Sequence, residues 1–384
     1  MNWFNIKKTQ LLLCLIAFIG CFISKGLVEL AFSSMIIVWL LDCIIQKSFP
    51  WSYMERTWLY LLFLSFMFFS ASRSVIWTEG LAAWLNLLEY VLVIIIVRYF
   101  GDIRPYRHTC FYLIIICSFL LGMDCIYQYL TDNDFLRNRL INVWHDFRRL
   151  TGPFVHPNSL GGFLAMLLPF TFCFTYEKLG PKKKVLLGLA LLIQVVCLLG
   201  TYSRGAWIGV LAGLYCVALL KDWKLFIYSG ILIGMSFFLL PNQVMKRMMQ
   251  MVDIHNITTQ LRLDTWLKAW DLFIKDPWFG IGLGNFSQIL KEGYPHNNYL
   301  EILTESGVLG LVVFLIFLFF HIQGRPLKNP QDSAGNNLQV GFLAMIWAFL
   351  VHAFFDTNFH VISLAGLFWM SIGFLQNLRL EIKN

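Results

Sequence analysis

Three side chains far apart in the chain have the types that one reaction at an anion would need: Arg204 in "TYSRGAW", Arg262 in "TTQLRLDTW" and His296 in "YPHNNYLEILTESGVLG", residues 294–310. An arginine fork binds phosphate oxygens in bidentate fashion, and two forks neutralise a diphosphate where water is scarce. A neutral imidazole accepts a proton near neutral pH. The combination suits transfer of a group from a diphosphate-linked lipid to an acceptor hydroxyl. The arginines would stabilise charge on the departing diphosphate while the histidine deprotonates the nucleophile. Other polar groups accompany the three. His156, Asn158 and Ser159 lie in "GPFVHPNSLGG", Tyr202 and Ser203 precede Arg204, Asn297 follows His296, Glu301 and Glu305 are four apart, and His352, Asp356 and His360 share "HAFFDTNFH".

Each of these residues also has a purely structural use. Asn158 and Ser159 have the types of a helix cap, and Arg204 at a span end can snorkel to headgroups. Glu301 and Glu305 can hydrogen-bond inside a helix bundle, and His296 can be a satisfied interfacial histidine. The histidines have no HExxH or comparable ligand spacing, so no metal site and no cofactor is read. Gly280, Gly282 and Gly284 in "DPWFGIGLGNF" suggest a nucleotide loop, but Asn285 stands where GxGxxG needs its last glycine and no βαβ context surrounds it.

The elements that must position these groups are set by composition. Of 384 residues 58% are hydrophobic and only 14% charged, with a mean hydropathy of +0.66, which describes a chain whose solvent is mostly lipid. Apolar runs long enough to cross a bilayer recur throughout, at 9–25, 28–46, 56–72, 82–100, 109–129, 157–176, 185–201, 205–220, 225–241, 304–322, 338–355 and 361–378. The expected fold is therefore an all-α polytopic membrane protein of about twelve helices, one integral membrane domain over 1–384. Unbroken runs exclude an alternating β-barrel. The first run lacks a small-residue cleavage pattern and is read as a retained helix.

Seventeen of the 30 Lys and Arg fall in segments that are cytoplasmic if the chain starts inside, which predicts both termini in the cytoplasm and the polar loops outside. Two outer loops are substantial, 130–156 and 242–303. In the first, "DFLRNRLINVWHDFRRLTGP" has apolar residues at helical spacing and predicts an interfacial amphipathic helix ended by Gly152 and Pro153. In the second, Leu263, Trp266, Leu267, Trp270 and Ile274 make one apolar stripe of a helix capped by Thr258 or Thr259 and lying on the membrane surface, with Arg262 at the stripe's edge. The nine cysteines fall in or beside spans without ligand spacing and read as packing residues. The formal charge of +8 follows topology and does not point to nucleic acid. No internal repeat relates the halves, and the polar groups gather at one surface and not at midplane, which disfavours a transporter.

Over residues 150–375 the chain resembles the O-antigen ligase family, to which O-antigen polymerases and protein O-oligosaccharyltransferases are related. Its sharpest element is His296-Asn297 followed after nine residues by Gly307-x-x-Gly310; Arg262 ahead of "DPWFGIGLGNF", Arg204 in "SRGAW" and "TGPFVHPNSLGG" add to it. The resemblance implies a GT-C-type glycosyltransferase in the bacterial inner membrane, metal-independent and inverting, with its site facing the periplasm. Its donor would be an undecaprenyl diphosphate-linked glycan and its acceptor the lipid A–core oligosaccharide of lipopolysaccharide; a polymerase would use a second lipid-linked glycan instead. Carried over residue by residue, Arg204 and Arg262 hold the diphosphate and His296 activates the acceptor. Asn297, Asn158, His156, Tyr202, Ser203, His352 and Asp356 are the candidate substrate-binding residues around them.

Overall fold

A computed structural model describes residues 3–47, 57–100, 102–135, 137–144, 147–227, 257–290, 293–323 and 333–380, with a few isolated positions between 230 and 249. In chain order the elements are α1 (Trp3–Ile23), α2 (Lys25–Gln46), α3 (Thr57–Ser72), α4 (Trp77–Phe100), α5 (Arg107–Thr131), β1 (Asn142–Trp144), β2 (Phe147–Arg149), α6 (Pro157–Cys173), α7 (Pro181–Gly200) and α8 (Arg204–Leu220). There follow α9 (Ile257–Phe273), the short α10 (Phe286–Leu290), α11 (Asn298–Ile322), α12 (Ser333–His352) and α13 (Ile362–Leu380). Among the described residues seven helical stretches are long and apolar enough to cross a membrane, and α3 and α8 are shorter apolar helices. The expected span 225–241 lies almost wholly outside the described residues.

These helices are not equally exposed to lipid, and α6 is the most buried of the seven. In α6, 83% of the apolar stretch is buried inside the protein, and α6 packs on α7, α8 and α12, while α13 packs on α4. Lipid is as apolar as leucine, so burial alone gives little drive for helices to associate, and close backbone approach and interhelical hydrogen bonds matter more. Both occur here. A side chain on Gly213 would strike Pro169 of α6 and the Ala344 carbonyl of α12. Gln194 of α7 donates to Ser118 of α5 and Thr171 of α6, and Asn377 of α13 donates to the Arg98 carbonyl of α4.

α11 is broken, and the break explains the glycine spacing that follows His296. At Gly307 the backbone leaves the helix (φ 68°, ψ −175°). A Cβ there would lie 2.2 Å from the Trp278 carbonyl oxygen, and one on Gly280 would meet the Glu305 carbonyl group. The segment 277–285 docks into this break as an irregular strap. Ile281 and Gly282 N–H donate to the Thr304 and Glu305 carbonyls (3.0 and 2.9 Å), and Val308 N–H donates to the Pro277 carbonyl (2.9 Å). The strap thus satisfies backbone groups that a helix break at membrane depth would orphan. Glu305 completes the joint by accepting the Phe286 N–H, and Asn285 accepts from Ser74 and Val75 at the outer end of α3. The glycine-rich run is a packing device in this fold.

The first outer loop corrects the helical expectation. β1 and β2 pair as a two-stranded antiparallel sheet in which Asn142, Val143 and Trp144 face Arg149, Arg148 and Phe147. Local polar chemistry decides against the helix. Asp134 accepts the backbone N–H of Arg137, Asn138 takes a left-handed conformation (φ 52°), and Arg137 donates to the Pro153 and Ile23 carbonyls. An apolar period of 3.6 cannot outweigh three such anchors at one end. α9 forms as expected and is already helical at Ile257, so Thr258 and Thr259 lie within the helix and not at its cap. Leu263, Leu267, Trp270 and Ile274 do form its exposed apolar face.

Candidate active site

A cavity of about 470 Å³ opens at the N-terminal end of α8 and is walled by α9, the N-terminus of α6, the hairpin and the turn before α11. Arg149, His156, Asn158, Tyr202, Ser203, Arg204, Arg262 and His296 all line it. The sequence-predicted arginines and histidine, 34 to 92 residues apart, therefore share one space.

The turn carrying His296 is fixed residue by residue. Tyr294 stacks on His360 with ring centroids 3.7 Å apart, and the Pro295 carbonyl accepts the indole N–H of Trp266 at 2.7 Å. His296 itself has φ 49°, a left-handed conformation held by these flanking bonds. Asn297 is the N-cap of α11, its side-chain oxygen accepting the N–H groups of Tyr299 (3.0 Å) and Leu300 (3.1 Å). It is thus a positioning residue behind the cavity wall. Asn298 ties the same turn to the segment after α12, donating its N–H to the Ala353 carbonyl and accepting the Asn358 N–H.

Nδ1 of His296 lies 2.8 Å from Oδ1 of Asp356, so Nε2 is the nitrogen left to exchange a proton in the cavity. Asp356 is buried behind His296. Burial alone would raise its pKa, but the hydrogen bond from His296 and the charges of His352, His296 and Arg262 hold the carboxyl well below its ordinary value. His352 is also buried; its Nδ1 lies 2.9 Å from Oδ1 of Asn358, and its ring packs where any side chain on Gly162 would sit. The structure therefore places Asp356 and His352 beneath the cavity, where they shape it without walling it.

Arg262 is lowered from its ordinary pKa, chiefly by desolvation, with Asp356 acting against the shift. Arg204 begins α8, and its guanidinium reaches Oγ1 of Thr259 on α9 at 3.5 Å. Both arginines also border a second space of about 160 Å³, whose other walls include Ile208, Leu263, Trp266 and Phe355. A polar cavity and an apolar groove thus meet at the guanidinium pair.

His156 is the N-cap of α6, and its Nδ1 accepts the Asn158 N–H at 3.2 Å. Its pKa is pushed down to about 4, first by desolvation and then by Arg149, His296 and Arg262, against the pull of Asp356. Tyr202 (φ 50°) and Ser203 form the turn into α8. Asn158 accepts a hydrogen bond from Arg149 at 2.8 Å.

Several lining residues lie outside the site expected from sequence: Leu261, Asp264, Thr265, Lys268 and Tyr294. Thr265 is three residues from Arg262, and Leu261 and Lys268 are four and three from Thr265, so helical spacing extended from Arg262 through Thr265 would have found them. Arg149 is one of four arginines of the first loop (Arg137, Arg139, Arg148 and Arg149) whose types suit either lipid headgroups or the gathering of an anionic substrate, and it alone of the four lines the cavity. Among the described residues no three His, Cys, Asp or Glu side chains gather in a metal-holding group.

Residues 187–315 match the family model described as O-antigen ligase, a stretch that contains Arg204, Arg262 and His296. The chain is also 27% identical over 216 residues to a protein named O-antigen ligase from Salmonella typhimurium (strain LT2), covering 49% of this chain and 51% of that one. The chain thus spans about half the length of the curated relative it matches. The stretch of this chain that is similar to the O-antigen ligase family, about a third of its length, holds Arg204, Arg262 and His296 around one cavity.

Proposed function

We propose that this protein is an O-antigen ligase that moves a preassembled glycan from undecaprenyl diphosphate to the lipid A–core oligosaccharide at the periplasmic face of the inner membrane. The observation that carries the reading is the junction at Arg204 and Arg262, where a polar cavity meets an apolar groove. That junction suits an amphiphile with a diphosphate head, the two guanidinium forks taking the phosphates and the groove the first carbons of the lipid.

In the proposed step the acceptor hydroxyl oxygen attacks the anomeric carbon from the face opposite the diphosphate, inverting it. A new C–O glycosidic bond forms, the anomeric C–O bond to phosphate breaks, and its electron pair stays on the phosphate oxygen. The hydroxyl proton passes to Nε2 of His296, while Asp356 holds the Nδ1 side of the ring and balances the imidazolium that forms. His156, Asn158, Tyr202 and Ser203 are assigned to the glycan and diphosphate at the opposite wall. Twelve membrane helices of GT-C type, cytoplasmic termini and a metal-independent reaction complete the proposal. It rests on the family likeness and the distribution of Lys and Arg.

The test is expression in a ligase-deficient Gram-negative strain whose donor glycan is compatible, followed by gel analysis of its lipopolysaccharide. Restored O-chain ladders are expected. Unchanged rough lipopolysaccharide from a membrane-inserted protein would refute ligation and favour a polymerase. Turnover of the purified enzyme should survive chelators; loss restored by a divalent ion would contradict the metal-free step.

A further inference from the structure

The cavity holds more fixed positive charge than its presumed donor brings in negative charge. Three guanidiniums line it, those of Arg149, Arg204 and Arg262. The two remaining charged groups at the wall, Lys268 and Asp264, pair with each other at 2.9 Å. Asp356 is engaged by His296 behind the wall. A lipid diphosphate esterified at both ends carries two negative charges. When the sugar leaves, the terminal phosphate becomes a monoester-type group with a second ionisation near pH 6, so a third negative charge appears by about pH 7.

Arg149 is built differently from the other two. It is only 7% exposed, closes β2, and reaches the cavity from the hairpin and not from α8 or α9. Its Nε donates to the Thr201 carbonyl at 2.8 Å and its Nη2 to Asn158 at 2.8 Å, so the planar fork is held on two sides before any ligand enters. It does not border the apolar groove that Arg204 and Arg262 share. Its charge is felt at His156 on the α6 side of the cavity.

From this we infer that Arg149 is a further catalytic residue, placed to meet the negative charge that develops on the leaving phosphate as the sugar–oxygen bond breaks. The inference rests on the transfer reading above. Arg204 and Arg262 match the two charges present in the bound donor, and Arg149 matches the third. A group that meets only the developing charge accelerates the reaction without tightening donor binding.

The experiment compares two ligands with full-length protein in detergent at pH 8. One is a short-chain polyprenyl diphosphate, with three charges, and the other is the same lipid diphosphate esterified to one sugar, with two. Dissociation constants are measured by calorimetry for wild type, Arg149→Gln and Arg149→Lys. Arg149→Gln is expected to weaken the free diphosphate about tenfold more than the sugar ester, the scale of one charge-assisted hydrogen bond. Arg149→Lys should restore part of the difference. A misfolded fraction lowers the number of sites for both ligands alike and leaves the ratio unchanged. Parallel weakening of both ligands in the two variants would make Arg149 a structural anchor and overturn the inference. If wild-type protein bound neither ligand, the transfer reading itself would fall, and the inference with it.

Discussion

Two imidazole–carboxylate pairs link the start of α11 to the segment between α12 and α13, and they are put to different uses. In one, His296 before α11 meets Asp356, 60 residues on; in the other, Glu301 in the first turn of α11 meets His360, 59 residues on, at 2.5 Å. The order of acid and base is reversed, and so is the setting. His296 lines the cavity with its carboxylate buried behind it, whereas His360 lies outside the cavity wall and stacks on Tyr294. Burial alone would lower the pKa of His360, but the charge and hydrogen bond of Glu301, with Glu305 beyond, raise it above its ordinary value. That pair is a strut that holds the Tyr294–His296 turn. In the proposed step the same two functional groups act as a proton acceptor in one place and a fastening in the other, and only the surroundings distinguish them.

Substitution should separate the pairs most at the histidines. His296→Ala is expected to lower transfer by about 10³-fold, within the usual reach of general base catalysis, while His360→Ala should stay within about tenfold of wild type. Rates of glycan transfer by the purified variants measure this; equal losses would erase the distinction. Asp356→Asn leaves the size of the side chain but removes the charge that balances the imidazolium, so about a hundredfold loss of kcat with little change in donor KM is expected. Loss in KM alone would make Asp356 a substrate-binding group.

Both pairs hang on the first turns of α11, which the strap 277–285 holds at its break. Gly307→Ala forces a Cβ against the Trp278 carbonyl in a left-handed conformation, so a loss of about 2 kcal/mol or more is expected, read as a lowered Tm in detergent. An unchanged Tm would show that the break can shift without cost. The strut should show itself by pH. A histidine whose pKa is raised on folding adds stability that is complete below its unfolded pKa, about 6.5, and fades as pH rises through the folded value. The Tm gap between wild type and Glu301→Gln should therefore be greatest below about pH 6.5 and shrink above it. Its size should be about 1 kcal/mol or less, because the His360 side chain is 40% exposed and solvent screens the pair. A gap that widens with pH would assign the bond to another charge state. Smallest of all, Arg148→Ala removes an exposed pair with Asp132 and contacts with the Tyr129 carbonyl and ring, outside the cavity lining, and should leave transfer unchanged. A marked loss would move the functional arginine of the hairpin by one residue.

Much of this was legible in the sequence because lipid imposes strong patterning. Eleven of the expected apolar spans coincide with described helices, and the outward stripe of α9 followed from its period. Arg204, Arg262 and His296 could be brought together because charged and polar groups are costly in lipid and so collect at one surface. The hairpin was not legible, since its form depends on Asp134, Asn138 and Arg137 finding partners that only the folded chain supplies. The two uses of histidine were equally hidden: "HAFFDTNFH" shows an aspartate and two histidines but not that Asp356 serves the cavity, His360 the strut and His352 the packing against Gly162. Residue types identify what chemistry is possible, while burial and neighbours decide which copy performs it.

The most direct test of the central claim separates holding the donor from using it. Binding of a polyprenyl diphosphate-linked glycan and its transfer to a glycolipid acceptor would be measured on purified wild type, Arg262→Ala and His296→Ala. The account predicts that His296→Ala binds donor within about threefold of wild type yet transfers about 10³-fold more slowly, and that Arg262→Ala loses binding by at least about tenfold, the scale of a charge-assisted bond. Transfer by His296→Ala at the wild-type rate, or wild-type donor binding by Arg262→Ala, would contradict it.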